Sequence, residues 1–229
     1  MIPVLVGLLV IAAFFIGSLY TKVQYLEKTA ATQAAAGPAA GQPVPSGPPA
    51  KVTVSLGHLP LKGNKDAKVK IVEFADFRCP FCERYFTETE PQIIKDYVDS
   101  GKVAIAFRHW AFLGPASTVA ANAAECANDQ GKFWEFHDYL YKNQPPETDI
   151  SMYNTDTLTQ AAVKLGLNGD SFRSCLNGKK DDGKIQTDYT DGQKAGVSGT
   201  PAFFINGTPL VGAQPFSAFK AAIDAELTK

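Results

Sequence analysis

The stretch EFADFRCPFC, residues 73–82, places two cysteines two residues apart directly behind an apolar run. That run, residues 69–77, is β-branched and aromatic and is apolar on both faces, which predicts a buried central strand. From Phe81 onward apolar residues recur at spacings of four and seven, typical of a helix, although Pro91 is expected to kink or break it. Residues 102–110 supply a second strand, and a strand, helix, strand unit favours parallel pairing. The stretch therefore predicts an α/β fold.

The second half of the chain is predicted to be mainly helical before it returns to strand. Two apolar runs in residues 200–211 flank Asn206-Gly207, which is typical of a two-residue hairpin, and Pro209 favours an edge position for the second run. Residues 215–227 close the chain as an amphipathic helix. The preceding helical patterns form a predicted insertion and lie at residues 117–142, 155–165, 170–176 and 182–195.

The charged residues are nearly balanced and are mixed along the chain. Lys and Arg number 22 and Asp and Glu number 23, which gives a formal net charge of −1. Because no long basic block is present to follow a phosphate backbone, no nucleic-acid partner is expected. With 45% hydrophobic residues in a chain of 229, there is enough apolar material for a sizeable core.

The N-terminus differs in composition from the rest of the chain. Residues 2–20 carry no charge and are long enough to cross a bilayer, so residues 1–21 are predicted to be a transmembrane helix that acts as a signal-anchor. A cleaved signal peptide is the alternative, but its basic start, short apolar centre and nearby cleavage site fit poorly. Residues 22–50 are rich in Ala, Pro and Gly and are predicted to be a flexible tether. Residues 51–229 are predicted to form one globular unit.

Two further cysteines, Cys126 and Cys175, bear on the compartment. They lie on separate predicted helices and are either buried free thiols or a structural disulfide. The even cysteine count and the predicted anchor favour the disulfide, which persists only in an oxidising compartment. Lys22 and Lys28 follow the anchor and favour a cytoplasmic body by the positive-inside rule. We give the cysteines more weight and predict a single-pass cell-membrane protein with an extracytoplasmic body.

The motif Cys79-Pro-Phe-Cys82 has the chemistry of a thiol pair at the start of a helix. Pro80 suits the first helical position, which makes Cys79 the N-cap residue. The free amides of Phe81 and Cys82 and the helix dipole stabilise a thiolate there, so the pKa of Cys79 is expected to be lowered. Cys82 lies on the same helix face and can close or resolve a disulfide. The spacing thus predicts an attacking thiol and a resolving thiol.

This motif has two alternatives to redox chemistry. A zinc site needs two more ligands at suitable spacing, and no second Cys-x-x-Cys or His-x-x-x-His is present. A purely structural 79–82 bridge is the second alternative. We favour redox chemistry, with no metal and no cofactor. The remaining candidate ligands are scattered and comprise Cys126, Cys175, His58, His109 and His137.

Glu73 and Pro201 are the other residues that the pattern singles out. Glu73 is an acid in the middle of an apolar strand, where it is either a buried proton relay with a raised pKa or a residue on a solvated edge or paired with a lysine. Pro201 begins an apolar strand, and the local sequence by itself favours an ordinary trans peptide bond before it.

Three runs together resemble the DsbA-like thiol:disulfide oxidoreductases of the thioredoxin superfamily, in the branch similar to the membrane-anchored enzymes of Gram-positive bacteria. They are VEFADFRCPFC, the ECA and GKFWEFHDYLY helices, and GVSGTPAFFINGTPLVGAQP. The resemblance covers essentially all of residues 60–228. It implies a thioredoxin fold with a helical insertion at about residues 115–190, preceded by the N-terminal helix.

The resemblance also implies roles for individual residues. Cys79 would be the exposed nucleophile, Cys82 the buried resolving thiol and Glu73 the acid beneath them. Thr200-Pro201 would be a cis-proline loop that faces the disulfide and pairs with the substrate backbone. The family's second cysteine pair commonly forms a bridge within the insertion, in agreement with the argument on the other two cysteines.

Pro80 and Phe81, between the cysteines, are expected to contact substrate. The strongest oxidants of the family carry Pro-His there, and a phenyl ring cannot supply the imidazole's hydrogen bond to the thiolate. The potential is therefore expected to be less oxidising than the family extreme. The aromatic residues Phe77, Phe81, Trp110 and Phe112 are candidates for an apolar surface that binds unfolded chains, although aromatic residues near strand ends more often belong to the core.

These inferences predict a protein disulfide oxidoreductase, most simply an oxidase that donates the Cys79–Cys82 disulfide to reduced, unfolded exported proteins. The implied reoxidising partner is a quinone-linked membrane protein, DsbB-like or VKOR-like. The alternatives are a tethered disulfide reductase or isomerase, and a non-catalytic binding module for unfolded chains.

Overall fold

The computed structural model describes residues 50–229 of the chain. The predicted anchor, residues 1–21, and nearly all of the predicted tether, residues 22–50, lie outside the described residues. Within residues 50–229 no helix has the length and apolar character needed to cross a membrane.

A five-stranded mixed sheet forms the centre of the fold. Its strands are β1 (Lys62–Gly63), β2 (Val69–Ala75), β3 (Val103–His109), β4 (Ala202–Ile205) and β5 (Thr208–Val211), in the spatial order β1-β3-β2-β4-β5. β2 and β3 are parallel, and the other three pairings are antiparallel. The central, buried position predicted for the first long strand is confirmed, although it ends at Ala75, two residues earlier than expected. The predicted hairpin and its edge strand are confirmed as β4 and β5.

The helix that begins at the cysteine motif continues past Pro91. This helix, α1, covers residues 80–98 in four consecutive segments, the α-helical Pro80–Arg84 and Glu90–Ile93 and the π-helical Tyr85–Thr89 and Ile94–Val98. A proline in a helix removes one donor and crowds the carbonyl of the preceding turn, and the wider π turns accommodate both effects. Of the two effects expected of Pro91, a kink or a break, the break is wrong, because helical residues continue to Val98.

Six further helices follow, five of them between β3 and β4. They are α2 (Pro115–Asn128), α3 (Phe133–Lys142), α4 (Thr155–Lys164), α5 (Gly169–Gly178), α6 (Asp182–Ala195) and, after β5, α7 (Phe216–Leu227). The sequence patterns located these helices, but the single run expected over residues 117–142 is two helices that are separated by a turn at Gly131.

The sheet is covered on both faces, and the helical insertion has a core of its own. One face packs against α1 and α7 through Tyr85, Ile93 and Phe219, and the other against α6 and residues 52–61. The third cluster lies mainly in the insertion and reaches the sheet through Ala75 of β2 and Phe107 of β3. Because Cys79 and Cys82 are part of that third cluster, the motif lies where the insertion meets the sheet.

Candidate active site

Cys79 is the N-cap residue of α1, with φ −76° and ψ 120°, and Pro80 occupies the first helical turn. Both features agree with the sequence prediction. The expectation of an exposed nucleophile is wrong for this structure, because Cys79 is only 4% exposed and Cys82 is fully buried. The exposed members of the motif are Pro80 and Phe81, and Phe81 is 53% exposed. Access to the sulfur of Cys79 is thus restricted by its surroundings.

Both cysteines are free thiols in this structure, and their environments separate their ionisation. Hydrogen bonding to the Cys82 side chain, then to Thr200 and to the amides of Cys82 and Phe81, lowers the pKa of Cys79 from 9.0 to about 6 in spite of burial. Burial, followed by the interaction with Cys79, raises the pKa of Cys82 well above its ordinary value. The arrangement therefore provides one thiolate nucleophile and one thiol that retains its proton.

The loop before β4 faces the thiol of Cys79. The Thr200–Pro201 peptide bond is cis, and the Cys79 thiol donates to the carbonyl oxygen of Thr200 at 3.4 Å. Pro201 is buried and its carbonyl accepts from the amide of Gly212 at 2.9 Å. The Thr200 hydroxyl is buried, bonds no other group among residues 50–229, and contributes to the lowered pKa of Cys79.

Glu73 lies in β2, the central strand, opposite Phe107 on one side and Phe203 on the other. It is 2% exposed, so the alternative of a solvated edge is wrong. Burial, and then the nearby negative charge of Glu90, raise the pKa of Glu73 well above its ordinary value. Lys62 is close but forms its ion pair with Glu90, at 2.9 Å. The negative charge of an ionised Glu73 would raise the pKa of Cys82, so the acid lies near the resolving thiol, and its burial favours the protonated form.

The four aromatic residues expected to form an apolar surface divide into two pairs. Phe77 and Trp110 are 1% and 4% exposed and belong to the core, so their predicted surface role is wrong. Phe77 stacks on Phe107 with ring centroids 5.1 Å apart, which accounts for its burial. Phe81 and Phe112 are 53% and 43% exposed. These two remain candidates for contact with substrate.

Asp76 is a functional residue that the sequence reasoning missed. Its buried carboxylate accepts from the Arg78 amide at 2.8 Å and from the amides of Phe112 and Leu113 at 3.0 and 3.2 Å. The Asp76 carbonyl accepts from the Cys79 amide at 3.0 Å. The Asp76 carboxylate therefore joins the loop before Cys79, residues 76–79, to the segment after β3. An Asp that bonds the amide two residues ahead is a recognised turn pattern, so the signal was present in the sequence.

The second cysteine pair lies inside the insertion. Cys126 on α2 and Cys175 on α5 form a disulfide with an S–S distance of 2.01 Å. Together with Asp181, these sulfur atoms form the cluster of potential metal ligands found in residues 50–229, all within 4.8 Å of one another. Because both sulfur atoms are engaged in the disulfide, neither is available as a thiolate ligand. No such cluster surrounds Cys79 and Cys82 in the described part of the chain.

We expect the rate at which Cys79 is alkylated in the reduced protein to rise with pH through a midpoint at about 6 and to level off above it. The reason is that the thiolate is the reacting species. Because the folded-state pKa is depressed, the ionised thiol stabilises the reduced fold fully above 9.0, and this stabilisation is lost as the pH falls through about 6. Iodoacetamide labelling followed by mass spectrometry measures the midpoint, and Thr200→Val should move it upward. A midpoint near 9 contradicts the assignment.

The pair consists of one thiol with a lowered pKa and one with a raised pKa, with a buried acid near them and a cis-proline loop beside them. This arrangement defines a class of protein that exchanges disulfides with other thiols. The comparisons with known proteins agree with this. The family profile described as Thioredoxin matches residues 57–225, and the chain belongs to this family. Within it the chain is a DsbA-like protein disulfide oxidoreductase, as the sequence predicted.

The relatives support the same assignment. The "Probable disulfide bond formation protein D" of Bacillus cereus is 36% identical over 172 residues, which are 73% of this chain and 78% of the relative. The crystal structure of oxidised BdbD from Bacillus subtilis has a TM-score of 0.74 at 26% identity, over 80% of this chain and all of that one. Wolbachia pipientis alpha-DsbA1, at 24% identity, has a TM-score of 0.68 over 76% of this chain and 94% of its own, which shows a shared fold.

Proposed function

We propose that this protein is an oxidase that donates the Cys79–Cys82 disulfide to reduced, unfolded proteins outside the cytoplasm. Residues 1–21 would anchor it in the cell membrane and residues 22–50 would tether residues 51–229, with the helical insertion at about residues 115–190. Relatives named for disulfide bond formation support this direction of electron flow. The Cys126–Cys175 disulfide supports an oxidising compartment.

The observation that carries the proposal is the lowered pKa of Cys79. A stabilised thiolate favours the reduced form of the pair, and a pair that is stable when reduced is a strong oxidant. The value of about 6 lies between roughly 7 in thioredoxin and roughly 3.5 in DsbA. This position agrees with Phe81 standing where the strongest oxidants carry histidine. We therefore infer an oxidant of intermediate strength.

The reaction is two successive thiol–disulfide exchanges. A substrate thiolate attacks the sulfur of Cys79, the 79–82 bond breaks, and Cys82 leaves with the electron pair and takes up a proton. Glu73, whose burial raises its pKa and which lies near Cys82, is the proposed source of that proton. A second substrate thiolate then attacks the substrate sulfur of the mixed disulfide, and Cys79 leaves as its stabilised thiolate. Two electrons have passed from the substrate to the cysteine pair.

The geometry also gives roles to the neighbouring residues. Thr200, which precedes the cis Pro201, bonds the sulfur of Cys79, so the proposed mixed disulfide forms beside this loop. Pro80 and Phe81 are exposed next to Cys79 in the chain and are proposed to contact the substrate. The reduced pair would be reoxidised by a quinone-linked membrane protein that is DsbB-like or VKOR-like.

The test is the reduction potential of the Cys79/Cys82 pair in the full chain, equilibrated in glutathione buffers and measured by thiol trapping and mass spectrometry. An oxidase is expected to lie above the range of about −180 to −210 mV of an oxidising secretory compartment. A value near about −270 mV, that of thioredoxin, would reverse the electron flow and identify a tethered reductase. Mass spectrometry of the labelled peptides distinguishes the Cys79/Cys82 pair from Cys126 and Cys175, so the second disulfide does not obscure the result.

A further inference from the structure

A segment of the helical insertion holds the backbone of the redox loop. The loop comprises residues 76–79, and the segment comprises residues 141–153, at the end of α3 and beyond it. The Gln144 side-chain amide donates to the carbonyl oxygen of Phe77 at 2.8 Å and to that of Cys79 at 3.3 Å. One side chain thus bonds the carbonyls on either side of Arg78, from 65 residues further along the chain.

Other groups of the same segment reinforce this contact. The hydroxyl of Tyr153 donates to the Phe77 carbonyl at 3.2 Å, and that of Tyr141 to the Asp76 carbonyl at 3.4 Å. The guanidinium of Arg78 donates to the Glu147 carbonyl at 2.8 Å. Among these side chains of the insertion, Gln144 is the one that bonds the carbonyl of Cys79.

The Cys79 carbonyl determines where the first turn of α1 begins. It also accepts from the amides of Cys82 and Glu83, at 3.0 and 3.1 Å. The sulfur of the same residue bonds the Thr200 carbonyl at 3.4 Å, and the amides of Phe81 and Cys82 in the first turn help to lower its pKa. The Cys79 carbonyl thus accepts hydrogen bonds from two helix amides and from the Gln144 side chain. Together these bonds leave the peptide unit after Cys79 little freedom to rotate. The orientation of the Cys79 side chain therefore depends on the insertion as well as on α1.

We propose that Gln144 is a positioning residue, which holds the Cys79 backbone from the helical insertion so that the sulfur stays turned toward Thr200 and the first turn of α1. This inference deepens the proposed function and rests on Cys79 being the attacking thiol. Without the two bonds from Gln144, the peptide unit can rotate and the sulfur loses part of its contact with those donors. The thiolate is then less stabilised.

The experiment is a titration of the Cys79 thiolate by ultraviolet absorbance in the reduced full chain. Gln144→Met keeps the length of the side chain and removes its donors, and Gln144→Asn keeps the amide but shortens its reach. We expect both to move the titration midpoint upward by about one pH unit, which is about a tenfold smaller thiolate fraction below the midpoint. The matched control is Gln130→Met, because Gln130 also bridges two backbone groups, those of Asn168, but within the insertion. It should titrate like the wild type.

A merely structural role for Gln144 predicts a different result. In that case the unfolding free energies of the Gln144 and Gln130 variants fall alike and no midpoint moves, and this outcome overturns the proposal. Gln144→Asn decides the question if Gln144→Met does not fold. The titration uses no substrate and no electron acceptor. A reductase-like potential combined with a shifted midpoint therefore removes the proposed function and leaves the positioning role intact.

Discussion

Replacing Cys79 by serine is expected to abolish the oxidation of a reduced dithiol peptide, down to the rate without protein. Both sulfur atoms of the pair are needed, because the donated disulfide is the bond between them. A serine hydroxyl at the N-cap cannot form that bond or accept the substrate sulfur. The measurement is peptide oxidation followed by mass spectrometry, with the oxidised full chain as the only oxidant. This result also separates an enzyme from a binding module, which would keep its affinity for unfolded chains.

Cys82→Ser is the matched variant and is expected to fail at a different step. It retains the Cys79 thiol with its stabilising contacts to Thr200, so it still reacts with an activated substrate disulfide. Without the resolving thiol, the mixed disulfide at Cys79 accumulates and can be isolated without reductant. Peptide oxidation that persists in Cys79→Ser, or a mixed disulfide on any other cysteine in Cys82→Ser, contradicts the assignment of Cys79 as nucleophile.

Removal of the second disulfide is expected to cost about 4 kcal/mol of unfolding free energy. Cys126 and Cys175 are 49 residues apart in the chain, and closing a loop of that size restricts the unfolded state by about this amount. The double variant Cys126→Ala/Cys175→Ala removes the bond between α2 and α5. Urea unfolding measures the loss, and a background of Cys79→Ser/Cys82→Ser keeps the redox pair from contributing.

Reduction provides the control for this prediction. In the same background, dithiothreitol should lower the unfolding free energy of the parent by about the same 4 kcal/mol and leave the alanine variant unchanged. Equal stability of the parent with and without reductant shows that the bond contributes nothing. A large loss in the alanine variant alone points instead to packing around the buried Cys126, which is 1% exposed.

Local sequence was enough for most of the secondary structure. The parallel strands, the hairpin at Asn206-Gly207 and the helices of the insertion follow patterns that act over a few residues, such as apolar spacing and turn chemistry. Pro91 shows the limit of this reasoning. Its effect on α1 depends on how Tyr85 and Ile93 pack against the sheet, and that packing keeps the helix continuous through its π turns.

The burial of the site was less accessible to sequence reasoning. The sequence left both a surface and a core position open for Phe77 and Trp110, and the packing of the insertion against the sheet buries them. The same packing covers Cys79, which was expected to be exposed. Burial depends on elements that are distant in the chain, so a local pattern cannot specify it.

The sequence by itself determined the chemistry of this protein, because the chemistry is local. A cysteine followed by proline at a helix start, with a second cysteine three residues on, has its amide donors and its resolving thiol within one turn. The tertiary structure decided how that chemistry is tuned and supported. Thr200 meets the sulfur of Cys79 from 121 residues away, and Gln144 holds its carbonyl from 65 residues away. Contacts at such separations arise only when the sheet and the insertion have packed together.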